Sequence, residues 1–212
     1  MTAAEIIAEV DDHGFAHISA TRKASYLNQV VKDICKRQPW PFLEQTLTLT
    51  FDGTNPEPSN LPADLRAVIS VIDPSSGMVI RHERLDVLEK GMGSQMTAVG
   101  SATFFYFVGK QLRFVQIPAS TWTARLRYLR KPATLTDAST EAAILVPAEN
   151  HEVIVKGILK HLYDQEDDPE MGARMEGHYE NGIQRMTDPE WLIQYDRPEM
   201  VWVMDADEYD MY

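Results

Sequence analysis

Six imidazoles, one thiol and 32 carboxylates are the side chains of this 212-residue chain that could hold a metal or move a proton. The histidines are His13, His17, His82, His151, His161 and His178, and no two of them flank a glutamate at the spacing that sets two zinc ligands and a base on one helical face. His13 and His17 straddle Gly14 and Phe15 at what reads as a helix end, which suits exposed or capping histidines. Cys35 is the single cysteine; it falls on an apolar helical stripe, where a thiol packs rather than reacts, and it leaves no internal disulfide. Asp164, Glu166, Asp167 and Asp168 lack the glycine-centred spacing of a calcium loop. Gly91-Met92-Gly93 has Met96 where a dinucleotide fingerprint needs its third glycine, and neither a phosphate-cradling loop nor a Gly-x-Ser-x-Gly elbow occurs. Paired carboxylates are expected by chance in so acidic a chain. The expectation is therefore no catalytic residue, no metal and no cofactor.

Charge is distributed unevenly. The formal net charge is −12, which disfavours adhesion to nucleic-acid phosphates through the overall field. Residues 188 to 212 hold eight acids and one base, Arg197, whereas no acid occurs from Lys90 to Thr136, where Lys90, Lys110, Arg113, Arg125, Arg127, Arg130 and Lys131 lie. A basic middle and an acidic end can match each other within one chain, head to tail between copies, or each with another partner.

The elements that would position these residues follow from periodicity and punctuation. A short helix is expected over 2 to 10, and a longer one from Ala20 to Arg37 with Leu27, Val30, Val31, Ile34 and Cys35 on one stripe, stopped by Pro39. Trp40, Phe42 and Leu43 form an aromatic plug, and Thr46 to Phe51 alternates as a half-buried strand. Asp52 to Asn60 is turn chemistry. Strands at Leu65 to Ile72 and Met78 to His82, joined by Asp73-Pro74-Ser75-Ser76-Gly77, read as an antiparallel hairpin. One or two helical turns at Leu85 to Lys90 and a loop over Gly91 to Ser101 precede a second hairpin, Phe104 to Val108 with Leu112 to Ile117, and a strand from Ala124 to Leu129. Beyond Pro132 the texture turns helical: Val153, Ile154, Ile158, Leu159 and Leu162 recur at helical spacing, and Pro169 to Met186 forms a second helix that Gly172, Gly177 and Gly182 weaken.

The last segment is the most informative. Disordered termini lack the apolar residues needed to bury surface, yet this one carries Trp191, Leu192, Ile193, Tyr195, Met200, Val201, Trp202, Val203, Met204, Tyr209, Met211 and Tyr212 among its acids. It needs a surface, either its own core as a last strand or another chain. Composition is that of an ordinary globular protein, and the lone cysteine and lack of a glycosylation acceptor suggest a reducing compartment. No signal-peptide pattern and no stretch of 18 apolar residues is present, so neither secretion nor a membrane span is expected.

The order of segments, helix, Gln38-Pro39-Trp40-Pro41-Phe42-Leu43, Thr/Leu strand, Leu61-Pro62-Ala63-Asp64-Leu65-Arg66, two hairpins, Leu126-Arg127-Tyr128-Leu129-Arg130-Lys131-Pro132-Ala133-Thr134-Leu135 and Val146-Pro147 opening a terminal helix pair, resembles the head-to-tail adaptor (connector, or neck) proteins of tailed bacteriophages. The similarity covers roughly residues 20 to 185. It implies a structural virion protein of the neck, made in the host bacterial cytoplasm, forming a ring, typically of twelve subunits, under the portal protein. Such a ring joins capsid to tail, contacts the tail or next neck protein, and lets DNA pass without specific binding. The implied fold class is α+β: a helical body with an inserted antiparallel β region of hairpins and an extended C-terminal tail. The corresponding division is 1–43 (N-terminal helices), 44–132 (β-rich insertion), 133–187 (C-terminal helices) and 188–212 (acidic-aromatic docking tail). The resemblance would give Trp191 to Tyr212 the task of embedding in the portal, against a basic and apolar receiving surface. Arg125, Arg127 and Arg130 are the candidates for subunit or tail contacts.

Net negative charge suits a channel that must not grip DNA, and an uneven charge map suits the heterologous interfaces of a ring. Other readings are a tail-completion or terminator protein, an uncharacterised soluble enzyme, or an acidic DNA mimic, the last weakened by the basic middle. A deep pocket with perturbed carboxylates would favour the enzyme.

Overall fold

The structure is a computed structural model that describes residues 1–116, 119–187 and 201–202. The fold class is α+β, and the chain divides into two compact units, one from Met1–Leu43 with the segment from Pro132 onward, the other from Glu44–Lys131 with the strand at 201–202.

The first unit is helical. Helix α1 (Ala3–Val10) starts with a capping box in which the Glu5 amide donates to Thr2 Oγ1 at 3.2 Å and the Thr2 amide donates to Glu5 Oε2 at 2.8 Å. It buries Ala3, Ile6, Ile7 and Val10, the stripe expected of an i, i+3, i+4 pattern. The backbone then turns through Asp11–Phe15, where Gly14 takes a φ of 103° that a side chain would resist. Helix α2 (Ala20–Arg37) buries Leu27, Val30, Val31, Ile34 and Cys35, matching the stripe read from the sequence. It also buries Lys23, whose ammonium pairs with Asp11 and donates to the Phe15 carbonyl at 3.4 Å, tying α2 to the preceding turn. At its end the Trp40 indole N–H donates to the Ile34 carbonyl, and the ring stacks on Phe42 at 5.5 Å between centroids.

After Pro132 the chain returns to this unit. Helix α4 (His151–Gln165) buries Ile154, Val155, Ile158, Leu159 and Leu162, and helix α5 (Pro169–Met186) is capped by Asp168, whose carboxylate accepts from the Met171 amide at 3.1 Å. Helix α3 (Leu85–Met92) belongs to the other unit. Helix α4 approaches both α2 and α5 closely at glycines: a Cβ at Gly157 would lie 2.7 Å from Val30 of α2 and 3.0 Å from Tyr179 of α5, and one at Gly182 of α5 would lie 2.7 Å from Val153 of α4. The expected glycine penalty within α5 is thus offset at Gly182 by close helix approach, while Gly177 faces open space. Tyr179, buried, donates to Asp33 Oδ2 at 2.7 Å, and Arg37 bridges Asp33 and Glu180, so α2 and α5 are joined by a polar network.

The second unit is a curled sheet in the order β1-β6-β2-β3-β4-β5. Strand β1 (Glu44–Phe51) pairs antiparallel with β6 (Trp122–Arg130) over its full length, from Glu44 opposite Leu129 to Phe51 opposite Trp122. Strand β2 (Leu65–Ile72) lies on the other side of β6, with register shifts between Leu65 and Ala67 and between Val68 and Ser70. It turns back into β3 (Val79–His82) as the sequence predicts, with Val71 opposite Ile80 and Ile72 opposite Val79. The turn is built by Asp73, which accepts from the Ser75 amide and hydroxyl and from the Ser76 hydroxyl, and closed by Gly77 at φ 70°.

One strand pair departs from the antiparallel expectation. Strand β4 (Phe104–Val108) runs parallel to β3, with Arg81 opposite Phe104 and His82 opposite Phe105. The connection between them holds helix α3 (Leu85–Met92) and a 3₁₀ turn at Gly93–Thr97, and this crossover is long enough to bring the chain back in the same direction. The stretch from Gly91 that reads as a loop therefore carries structure. Strand β5 (Gln111–Val115) completes the second hairpin with β4. Leu49, Phe51, Val71, Ile80, Phe105, Leu112, Phe114, Leu126 and Tyr128 form the core of this unit.

Candidate assembly surfaces

The sheet presents its edges unequally. The outer edge of β1 is capped in its second half: Asn60 Nδ2 donates to the Thr48 carbonyl, Asn60 Oδ1 accepts from the Thr50 amide, and the Ser59 amide donates to the Thr50 carbonyl. Phe114 of β5 donates its amide to the Pro56 carbonyl at 2.9 Å, so the 52–60 loop touches both margins. Asp52 organises that loop by accepting from the amides of Thr54 and Asn55, bonds that hold its carboxyl down at about 2.

The inner margin of β2 is divided. One side is occupied by β6 along its length, whereas β3 reaches only Val71 and Ile72 on the other. Part of the rest of that side is taken by a two-residue strand, β7 (Val201–Trp202), with Ala67 opposite Trp202 and Val68 opposite Val201. Of the docking residues expected from the sequence, Val201 and Trp202 are therefore placed in a sheet. Trp191, Leu192, Ile193, Tyr195, Met200, Val203, Met204, Tyr209 and Tyr212 lie outside the described residues.

The basic run is partly neutralised by acids of its own unit. Arg127 on β6 donates to Glu44 Oε2 at 2.6 and 2.9 Å, and Arg113 donates to Glu57 at 2.8 Å. Arg125 is exposed on β6 between Thr48 and Ile72, and Arg130 is half-buried with its Nε enclosed and without a hydrogen-bond partner. The three arginines thus sit in three environments on one strand. Tyr128 between them donates to Asp64 at 3.2 Å, and burial beside that carboxylate pushes its hydroxyl up to about 12. Large apolar side chains are exposed at Met78, Val79, Val87, Val99 and Val108.

The histidines with ring partners sit in separate local settings. His17 bonds the Glu166 carboxylate at 2.7 Å, His161 stacks on Tyr26 at 5.2 Å, and buried His151 places Nε2 2.9 Å from the Val146 carbonyl. Burial lowers the pKa of His151, His161 and His82. The carboxyls held low are Asp52 and Asp73 in turns and Glu176 beside Lys160, each by local hydrogen bonds. Among the described residues no group of three or more His, Cys, Asp or Glu side chains is placed to hold a metal ion, and no helix is long and apolar enough to cross a membrane. One open concavity is lined by His82, Glu83, Arg84, Asp86, Glu89 and Phe107, and another lies between α2 and Leu135–Asp137.

A family model described as SU10 adaptor protein matches residues 1–200. No curated protein matches the sequence. With nearly the whole chain covered by that match, this protein belongs to the SU10 adaptor protein family and is a structural adaptor of a tailed bacteriophage.

Proposed function

We propose that the chain is the head-to-tail adaptor of its virion: twelve copies ring the underside of the portal, join capsid to tail, and leave a channel through which DNA passes without specific binding. The observation that carries this reading is the adaptor family match across residues 1–200. In this reading the helices of 1–43 and 133–187 form the ring body, and the β-rich segment 44–132 faces outward or toward the tail. The acidic-aromatic tail, residues 188 to 212, docks on a basic and apolar portal surface through Trp191, Leu192, Ile193, Tyr195, Met200, Val201, Trp202, Val203, Met204, Tyr209 and Tyr212. Its composition supports that role, since an acidic terminus so rich in aromatic and aliphatic groups must bury them somewhere. Arg125 and Arg130 are the better candidates for subunit or tail contacts, because Arg127 already has a carboxylate partner.

Native mass spectrometry of the chain mixed with the portal ring of its own genome tests this directly. A mass gain of one fixed ring of copies, twelve in number, is the expected result. Absence of any gain would remove the portal reading and favour a tail terminator.

A further inference from the structure

The side of β2 left open by β3 is short. At Ala67 and Val68 β3 supplies no partner, so without the tail strand the backbone group facing that side would lack a strand neighbour. The structure fills this gap with the chain's own Val201–Trp202, in antiparallel register. These two residues also belong to the segment assigned above to portal docking, and a backbone engaged with β2 cannot at the same time lie against another protein's surface with the same edge.

We propose that the β2–β7 pairing is an intramolecular latch: in the free subunit the tail strand is parked on the Ala67–Val68 edge, and portal docking requires its release. This inference rests on the portal-docking reading. The geometry suits a latch in two respects. A ladder of two residues has few bonds to break, so the closed form is held weakly enough to open in the native state. The edge it covers is a sheet margin that would otherwise offer itself to any passing strand, so parking the tail protects the free subunit at both ends of the contact. A subunit that must open before docking binds with its intrinsic affinity reduced by the open fraction, which restrains association until the multivalent portal ring supplies many sites at once.

Amide hydrogen exchange on the full-length chain, resolved to β2, tests the latch. In the free chain the β2 amide at Ala67–Val68 that faces the tail strand should be protected, and Val201→Pro combined with Trp202→Pro, which removes whichever of the two amides faces β2, should speed its exchange by roughly tenfold or more. On adding the portal ring to the wild-type chain, with complex formation read independently by mass, the same amide should lose protection to a similar degree. Protection that is insensitive to the double proline variant, or that persists unchanged in a complex shown to have formed, overturns the latch while leaving the docking reading intact. Failure to form any complex overturns the docking reading and the latch with it.

Discussion

Asn28 and Leu135 bond to each other twice: the Leu135 amide donates to Asn28 Oδ1 at 2.7 Å, and Asn28 Nδ2 donates to the Leu135 carbonyl at 2.8 Å. One helical side chain thereby imitates a strand neighbour and pins the chain where it re-enters the helical unit, more than 100 residues later in sequence. The same Nδ2 also donates to the Ala24 carbonyl, so the amide is fully used. Asn28→Ala leaves a part-buried amide and carbonyl unsatisfied and should cost about 1–3 kcal/mol in a denaturant titration. Asn28→Asp keeps the acceptor and loses the donor, so it should fall between the two. Equal stability of all three proteins would show that the bridge contributes nothing.

Lys23 and Asp11 form the other unusual contact of that unit. The ammonium is 2% exposed whereas the Asp11 side chain is 35% exposed. Removing the carboxylate strands a buried positive charge, while removing the ammonium leaves an anion that water can still reach. Asp11→Ala should therefore destabilise more than Lys23→Met, by about 2–3 kcal/mol against about 1 kcal/mol; the first figure is below that of a fully enclosed pair because Asp11 is partly solvated. The order of the two thermal midpoints checks it, and a reversed order would contradict the argument.

Protonation should weaken the fold below neutrality. His82, His151 and His161 all have folded pKa values lowered by burial, so the unfolded chain binds these protons more readily than the folded one. Their contribution is complete above about pH 6.5, the ordinary histidine value, and is lost progressively as pH falls below it toward the lowered folded values. Denaturant midpoints between pH 8 and pH 5 should decline accordingly. His151→Gln, whose amide reaches the Nε2 position and retains a donor for the Val146 carbonyl, should be less stable at pH 8 yet show a shallower decline; an unchanged slope would remove His151 from the account.

Local signals carried much of this fold. The Asp73-Pro74-Ser75-Ser76-Gly77 turn and the apolar stripe of α2 are written in adjacent residues, and both elements form where those residues place them. The parallel pairing of β3 with β4 had no such signal, because direction is set by the crossover through α3 rather than by either strand. The partner of Val201–Trp202 was equally hidden. A tail rich in aromatics announces that it needs a surface, but the gap beside Ala67 exists only because β3 stops short, which is a property of the assembled sheet. The three arginines of β6 look alike in sequence, and only the position of Glu44 across the ladder separates Arg127 from Arg125.

Two glycines of α5 should respond to alanine with opposite sign. At Gly177 nothing lies within 4 Å of the added methyl, so Gly177→Ala gains helix propensity and should stabilise by up to about 1 kcal/mol. At Gly182 the methyl would meet Val153 at 2.7 Å, and Val153 is β-branched on a helix, with little freedom to rotate away. Overpacking of this kind costs about 1–3 kcal/mol, which exceeds the propensity gain, so Gly182→Ala should be net destabilising by roughly 1 kcal/mol. Combining Gly182→Ala with Val153→Ala removes the obstructing methyls and should recover part of the loss. Thermal melts of the four proteins measure both signs; a stabilising Gly182→Ala would mean that α4 and α5 separate easily, contrary to the close approach seen here.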